Sequence, residues 1–365
     1  MGEQKVLTEM PKRNPVNGTF ELTIRCNLHC KMCLFRHDDC ENADIMTKEL
    51  TAEQWIDLGR QVAEAGTLNL LITGGEPMLR PDFCEIWEEL YRQGFILQLY
   101  TNATLVTPKI METLKKYPPH RIGVTIYGAS EEIYEKVCGD GEAFAKAVNG
   151  VKELKKLPSQ LEIRTTVIKD NYKQLAELEQ LVKEQFDYQA PMQQPRIVLS
   201  AVRGGCTNVK DVRLPAKKNI ELFFRRGVNE IIDKVGKDKF DSRNLKFELV
   251  EPEKKQQDEK TYTLFGCHAG MQDYAISWDG KLMGCQLLDV FWTDPLKVGF
   301  EEAWKQFPFQ VKIPPMNEKC QNCEKASHCE NCYASRLAET GDICGCPEYM
   351  CEDVNELLKI CQEDK

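Results

Sequence analysis

The 365-residue chain lacks the features that would direct it to a membrane or a nucleic acid. No apolar run approaches the roughly 18 residues of a membrane-spanning helix. The first residues, MGEQKVLTEMPKRNPVNG, are polar without the apolar core of a signal peptide, and Val6 stands where a myristoylation signal needs Ser or Thr. A formal net charge of −9 opposes binding to a phosphate backbone. We therefore expect a cytoplasmic protein with neither a membrane nor a nucleic-acid partner.

Histidine is scarce in the chain, with five residues, whereas cysteine is abundant, with seventeen. An odd number of thiols cannot all pair, and a reducing cytosol disfavours structural disulfides. Clustered thiols in such a protein indicate metal binding or redox chemistry. A single thiol is more often a small buried hydrophobe, which is how we interpret the isolated members of the set. These are Cys40, Cys84, Cys138, Cys206 and Cys361.

Short β-rich runs alternate with helical patterns between residues 18 and 202. Strands separated by helices of this length predict parallel βαβ units. The predicted fold class is therefore α/β, a partial (β/α)6 TIM-like barrel, in which chemistry belongs at the carboxyl ends of the strands. The predicted strands are 18–26, 68–75, 95–103, 121–128, 161–170 and 195–202.

The density of cysteine divides the chain, because ten of the seventeen lie between residues 267 and 361. Before them, residues 203–250 carry twelve Lys and Arg against seven Asp and Glu, a balance that favours a solvated helix face over a surface for an acidic partner. The predicted units are an N-terminal extension at 1–17, the partial barrel at 18–202, a helical connector at 203–266, a small cysteine-rich α+β domain at 267–351 and a tail at 352–365.

Three cysteines, Cys26, Cys30 and Cys33, follow the first predicted strand in the sequence RCNLHCKMCLF. Three thiolates on one loop can hold three irons of a 4Fe–4S cluster and leave the fourth iron open to a substrate or cofactor. A partial zinc site or a set of redox thiols is the alternative, although structural zinc usually takes four protein ligands.

This C-x3-C-x2-C loop in a partial barrel resembles the radical S-adenosylmethionine (SAM) superfamily. The segment TGGEP (73–77), after the second strand, is similar to the GGEP motif that binds the methionyl amino group of SAM in that family. The resemblance implies that SAM chelates the open iron, and that its cleavage yields a 5′-deoxyadenosyl radical that abstracts hydrogen. Three of the residues that would contact SAM have a structural alternative. It is a capped turn for Asn102, a buried strand residue for Thr125 and a structural salt bridge for Arg164. The SAM-binding residues implied are Phe35, Gly74, Gly75, Glu76, Pro77, Asn102, Thr125 and Arg164.

The C-terminal thiols resemble the SPASM domain, an extension of radical SAM enzymes that carries two auxiliary iron–sulfur clusters. The resemblance assigns Cys267, Cys285 and Cys332 to an inner cluster, and Cys320, Cys323, Cys329 and Cys351 to an outer one. Unlike some members, the chain has no cysteine between the first pair, so the inner cluster has an open iron or takes Cys344 or Cys346 as a fourth ligand. A zinc-ribbon-like scaffold is the alternative interpretation of residues 320–351.

Many radical SAM enzymes with a SPASM domain modify peptides. We therefore predict an oxidoreductase that introduces a cross-link, thioether or dehydrogenation into a ribosomally made peptide or protein. A separate peptide-recognition protein is an expected partner, because only about twenty residues precede the first strand, and flavodoxin or ferredoxin is an expected electron donor. The alternatives are a radical SAM dehydrogenase of a sugar or alcohol and a non-catalytic metal-binding scaffold. No catalytic acid or base is assigned.

Overall fold

A computed structural model gives the fold of most of the chain. It describes residues 13–34, 43–188, 209–222, 227, 267–307, 317–325, 329 and 332–363. Over these residues, no helix combines the length and the apolar character needed to cross a membrane. The sixth predicted strand, 195–202, and most of the predicted connector lie outside the described residues.

A single sheet of seven strands organises the described part of the molecule, in the order β5-β4-β3-β2-β1-β6-β7. Strands β1 to β5 pair in parallel with their sequence neighbours, and a helix follows each of them. This sequential parallel order is that of a partial barrel, as predicted. The strands are β1 (Asn17–Glu21), β2 (Asn69–Thr73), β3 (Ile96–Thr101), β4 (Arg121–Thr125), β5 (Gln160–Arg164), β6 (Asp273–Ile276) and β7 (Leu282–Met283).

The helices begin at the capping residues that the sequence provides. Thr51 and Gln54 form a reciprocal capping box at the start of the second helix, and the side chains of Thr107 and Ser130 cap the fourth and fifth. The helices are α1 (Ala43–Met46), α2 (Ala52–Glu64), α3 (Phe83–Arg92), α4 (Pro108–Lys116), α5 (Glu131–Cys138), α6 (Ala143–Leu154), α7 (Leu175–Phe186), α8 (Val209–Val212), α9 (Pro295–Val298), α10 (Phe300–Gln306), α11 (Glu318–Gln321), α12 (Tyr333–Thr340) and α13 (Glu348–Glu363).

The main core lies between the sheet and the helices that cover it. Phe20 of β1 stacks on Trp55 of α2 with ring centroids 4.9 Å apart, and both side chains are fully buried. Trp87 of α3 is buried and donates its indole N–H to the carbonyl of Tyr117 at 2.9 Å. A partly polar aromatic ring is thus buried with its donor satisfied, as a stable interior requires.

Two strands end earlier than the sequence predicts because side chains capture the backbone that follows. After β1, the Ile24 amide donates to the Glu49 carboxylate at 3.3 Å. After β5, the Asn171 side chain accepts from the Ile168 amide at 2.8 Å and donates to the carbonyl of Tyr127 at 2.9 Å. These contacts turn both segments into loops at the carboxyl edge of the sheet, where the functional residues lie.

The cysteine-rich segment contributes to the same sheet as the barrel. Strand β6 pairs in parallel with β1, placing Tyr274 opposite Gly18. A Cβ at Gly18 would lie 2.5 Å from the Tyr274 hydroxyl, so glycine is required beside this ring. That hydroxyl lies 2.9 Å from the Thr67 hydroxyl. The predicted boundary at residue 267 therefore marks a change in cysteine content, whereas the sheet continues across it.

Candidate cofactor site

The loop that follows β1 carries Cys26, Cys30 and Cys33 and is fixed to the end of α5. The His29 amide donates to the Cys138 carbonyl at 2.8 Å, and the Lys31 amide to the Val137 carbonyl at 3.0 Å. The last carbonyls of a helix have no partner within the helix. The thiol-bearing loop supplies those partners, so its backbone position is set by α5.

The three thiols form no disulfide and stand in different surroundings. Cys26 accepts hydrogen bonds from the Leu28 amide at 3.4 Å and from the Asn102 side-chain amide at 3.7 Å. Burial, followed by the nearby Glu76 carboxylate, raises the pKa of Cys26 well above its usual value. A hydrogen bond with Cys138, followed by burial, raises the pKa of Cys30. The raised pKa values of Cys26 and Cys30 favour the protonated thiols, so binding iron there would displace protons.

The arrangement of these thiols fits an iron–sulfur cluster better than a single ion. Among the residues that the structure describes, no three Cys, His, Asp or Glu side chains are close enough to hold one metal ion. In an iron–sulfur cluster each thiolate binds its own iron, so its ligands stand farther apart. Three thiols on one fixed loop at the carboxyl edge of the sheet suit that arrangement.

Gly74 and Gly75 lie directly against the backbone of the thiol-bearing loop. A Cβ at Gly74, where φ is 143°, would lie 2.4 Å from the Thr23 carbonyl oxygen, and one at Gly75 would lie 2.2 Å from the Arg25 carbonyl oxygen. The amides of Gly75 and Glu76 donate to those same carbonyls, at 2.7 and 2.9 Å respectively. The GGEP segment thus has a structural role: its glycines allow the second loop to pack onto the first.

Glu76 is fully buried and joins the ends of β2 and β3. Its carboxylate accepts from the Met78 amide at 3.1 Å, the Asn102 amide at 2.8 Å and the Thr101 hydroxyl at 2.8 Å. Burial raises its pKa from 4.5 to about 7. The Thr101 hydroxyl also lies 2.9 Å from the second carboxylate oxygen, so each oxygen of Glu76 has two hydrogen-bonding contacts. Pro77 follows and begins the short 3-10 turn Pro77–Leu79.

Asn102 connects the third strand to the thiol-bearing loop. Its side-chain amide nitrogen donates to the Asn27 side chain at 3.1 Å as well as to Cys26. Its side-chain oxygen accepts from the Thr104 amide at 2.9 Å. The turn predicted as the alternative role of Asn102 is therefore present, together with contacts to the loop that bears the cysteines.

Thr125 and Arg164 are paired neighbours at the ends of β4 and β5. The Arg164 guanidinium stacks on the Tyr100 ring, 4.3 Å from its centroid, and its Nε lies 3.5 Å from the Glu162 carboxylate. Both residues lie at the carboxyl edge beside Glu76 and Asn102, and the salt bridge considered as the alternative for Arg164 is present. Phe35 lies outside the described residues.

Sequence reasoning missed the charged group that holds the start of the thiol-bearing loop. The Glu49 carboxylate accepts from the Thr23 hydroxyl and from the Arg25 guanidinium, the latter at 2.8 Å. Arg80 approaches Glu49 to 3.9 Å and donates to the Leu22 carbonyl at 2.9 Å. With 57 acidic residues in the chain and no spacing that singles out Glu49, only the folded structure identifies it.

Cys138 was interpreted as a buried hydrophobe, and it is indeed fully buried. Its thiol also contacts Cys30, which in addition shares a hydrogen bond with the Tyr127 hydroxyl. The sequence offers one signal for this: Cys138 precedes Gly139, whose left-handed conformation ends α5 where the loop docks.

The inner set of C-terminal thiols lies around a small apolar cluster. Cys285 interacts electrostatically with Cys332 and Cys267, and burial raises its pKa to about 11. The Cys332 thiol caps α12 by accepting from the Ser335 amide at 3.4 Å. Cys344 packs against the same cluster as Cys285 and Cys332. Cys344 thus shares an apolar cluster with two of the three inner thiols.

The outer set comes together around Cys346. Hydrogen bonds join Cys346 to both Cys320 and Cys351, and Cys329 interacts electrostatically with the same two residues. Cys323 follows Cys320, to whose carbonyl its amide donates at 3.4 Å. Of the two extra thiols considered for the inner cluster, Cys346 thus stands with the outer set.

Comparison with known proteins agrees with this fold. Residues 20–182 match the family described as the radical SAM superfamily. Residues 20–182 are thus a radical SAM domain, a class of enzyme domain whose cofactors are a 4Fe–4S cluster and SAM.

Particular relatives extend the match beyond the barrel. The chain is 28% identical over 344 residues to the AdoMet-dependent heme synthase of Methanosarcina barkeri, covering 88% of this chain and 92% of that protein. It is 24% identical to the antilisterial bacteriocin subtilosin biosynthesis protein AlbA of Bacillus subtilis, covering 88% of this chain and 68% of AlbA. Streptococcus suis SuiB bound to its precursor peptide SuiA superposes with a TM-score of 0.64 at 18% identity, covering 93% of this chain and 76% of SuiB, which shows the shared fold.

Proposed function

We propose that this enzyme oxidatively modifies a ribosomally made peptide or protein. The observation that carries the proposal is the position of two further groups of thiols in the C-terminal segment. Strand β6 of that segment pairs with β1, and β1 is the strand that precedes the thiol-bearing loop. Net oxidation requires a second site that accepts electrons. Thiols beyond those of the catalytic loop can hold auxiliary clusters that would provide it.

We assign the radical SAM cluster to Cys26, Cys30 and Cys33. The SAM site comprises the GGEP residues, Asn102, Thr125, Arg164 and Phe35. When bound, the clusters and SAM supply radical hydrogen abstraction and an acceptor for the electron left on the substrate.

The chain's own residues position these groups. Asn102 and the Leu28 amide donate to the Cys26 sulfur, which favours its thiolate. The Glu76 carboxylate would receive the ammonium of SAM, and a cation bound there would lower its raised pKa. Arg164 offers a guanidinium for the SAM carboxylate at the same edge of the sheet.

We assign the inner auxiliary cluster to Cys267, Cys285 and Cys332, with Cys344 as the fourth ligand. The outer auxiliary cluster takes Cys320, Cys323 and Cys329, with a fourth ligand at Cys351. The support is the grouping of these thiols, with Cys344 packed against the same apolar cluster as Cys285 and Cys332. Flavodoxin or ferredoxin is the proposed electron donor, and a separate peptide-recognition protein is a proposed partner.

The relatives support two classes of substrate. AlbA is named for bacteriocin biosynthesis, and SuiB has been solved with its precursor peptide, which favours a peptide. The heme synthase of M. barkeri matches the chain over most of both sequences, which favours a heme precursor as the second candidate.

Anaerobic reconstitution with SAM and a reductant tests these classes in parallel reactions. One reaction receives short peptides encoded beside the gene, another a heme precursor, and a third no substrate. We expect 5′-deoxyadenosine and a peptide lighter by about two mass units, the loss of two hydrogens. Conversion of the heme precursor with the peptides unchanged would replace the peptide proposal by the second candidate.

A further inference from the structure

Cys346 occupies a position within the outer thiol set that the family resemblance leaves unassigned. Its sulfur lies 3.8 Å from that of Cys351. It also forms a hydrogen bond with Cys320, a proposed outer ligand. Cys346 thus stands with Cys320, Cys329 and Cys351, and with Cys323, which the resemblance adds, the outer set has one thiol more than a four-iron cluster needs.

The turn that carries Cys346 is fixed on both sides. A Cβ at Gly345 would lie 2.1 Å from the Thr340 hydroxyl oxygen, so glycine is needed there. The Gly345 amide donates to the Asp342 carbonyl at 2.9 Å, and the Asn317 amide to the Cys344 carbonyl at 3.1 Å. The second contact ties the turn to α11, the helix that carries Cys320. Cys346 therefore reaches the outer set through a constrained backbone.

The contact between Cys346 and Cys351 decides how the two thiols can act. Thiolates that bind different irons of one cubic cluster are separated by the cluster itself. Two sulfurs in contact cannot take two such positions without moving apart, but either one can approach the same iron. The pair is also accessible, because both side chains are partly exposed and Cys346 lines an open cavity of about 490 Å³.

We propose that Cys346 and Cys351 are alternative ligands for one iron of the outer cluster. The exchange is a ligand substitution in which one thiolate leaves the iron as the other binds, and the departing sulfur takes the proton that the incoming one releases. No change in oxidation state is involved. This inference rests on the proposed outer cluster.

The test compares the variants Cys346→Ala, Cys351→Ala and the double variant, with Cys84→Ala on α3 as the control. Each protein is reconstituted anaerobically, and iron and acid-labile sulfide are measured per chain. We expect about twelve irons in the wild type, in both single variants and in the control, and about eight in the double variant. Cleavage of SAM by the double variant verifies that the barrel has folded.

Several results would overturn the proposal. They are loss of about four irons from one single variant alone, or a double variant that keeps the wild-type content. A wild-type protein with only about four irons would instead refute the auxiliary clusters on which the inference rests.

Alkylation gives an independent measurement on the wild-type protein, which needs no variant to fold. With the clusters loaded, iodoacetamide should label Cys346 and Cys351 in fractions that add to about one thiol per chain, because one of the pair is always unbound. Labelling confined to one of the two would show a fixed ligand and contradict exchange.

Discussion

Glu76 shows how much a single buried carboxylate contributes to this site. It receives three hydrogen bonds from the ends of two strands, and burial still raises its pKa to about 7. Without SAM, these hydrogen bonds therefore do not fully offset the cost of burying the ionised carboxylate. A buried group with a raised pKa makes stability depend on pH in a defined direction.

The folded protein binds the Glu76 proton more tightly than the unfolded chain, so its contribution to stability is full below about pH 4.5 and is lost as pH rises through about 7. Glu76→Gln should remove this dependence. Urea unfolding of the metal-free proteins at pH 5 and pH 8 should show the wild type losing about 2 kcal/mol more than the variant. Glu64→Gln, at an exposed carboxylate, should behave like the wild type; equal pH slopes in all three proteins would contradict the account.

Gly74 supports a second prediction at this scale. Gly74→Ala combines a φ of 143° with a collision 2.4 Å from the Thr23 carbonyl oxygen. Gly66→Ala is the matched control, because its φ is 100° but no atom lies within 4 Å of the added Cβ. We expect about a hundredfold slower SAM cleavage for Gly74→Ala, whose loop must move, and a nearly wild-type rate for Gly66→Ala. Equal rates would show that the close packing of the two loops is unimportant.

At the scale of elements, the thiol-bearing loop is held by α5 on one side and by Glu49 on the other. The Glu49 side chain is 6% exposed and the Arg25 side chain 19%. Removing the carboxylate leaves the largely buried guanidinium of Arg25 without this ion pair, and it also removes the acceptor of the Thr23 hydroxyl and Ile24 amide.

Glu49→Ala should therefore lower the free energy of unfolding by about 3 kcal/mol, the lower end of the range for breaking a buried pair. Glu64→Ala breaks an exposed pair with Arg60 and should cost no more than about 0.5 kcal/mol. Denaturant unfolding of both variants gives the comparison. A cost for Glu49→Ala as small as that of the control would mean that Glu49 does not anchor the loop.

The elements differ in how far the sequence could predict them. The five described barrel strands and their helices could be predicted, because short β-rich runs alternate along the chain with segments whose apolar residues have helical spacing. Strand β6 was missed: the four residues Asp273–Ile276 are too few to show a period, and their partner, β1, lies more than 250 residues away. The thiols of the first loop follow from spacing, whereas the grouping of Cys344 and Cys346 with different sets depends on a turn that no spacing reveals.

At the scale of the molecule, the cysteine-rich segment and the barrel share one sheet and one aromatic cluster. Tyr274 packs against Phe300 with ring centroids 5.0 Å apart and against Trp304 at 5.9 Å. The Arg13 guanidinium lies 4.2 Å from the centroid of the Trp304 ring. The start of the described chain and the cysteine-rich segment thus meet beside β1, and the two parts should unfold together.

Tyr274→Ala should cost about 3–5 kcal/mol because it leaves a cavity between β6 and β1. Tyr274→Phe should cost no more than about 1 kcal/mol, because Thr67 still donates to the Pro15 carbonyl at 2.6 Å. Far-ultraviolet circular dichroism and tryptophan fluorescence should report one coincident thermal transition for the wild type and both variants. Two separate transitions in the wild type would show that the segment folds independently of the barrel.

The central claim is that the loop of Cys26, Cys30 and Cys33 holds the cluster that cleaves SAM. The most direct measurement is the formation of 5′-deoxyadenosine by anaerobically reconstituted protein with SAM and a chemical reductant. The account predicts product from the wild type and none from the Cys26→Ala/Cys30→Ala/Cys33→Ala variant, with only about four irons fewer per chain in that variant. Product formation by the triple variant at the wild-type rate would contradict the assignment of the site.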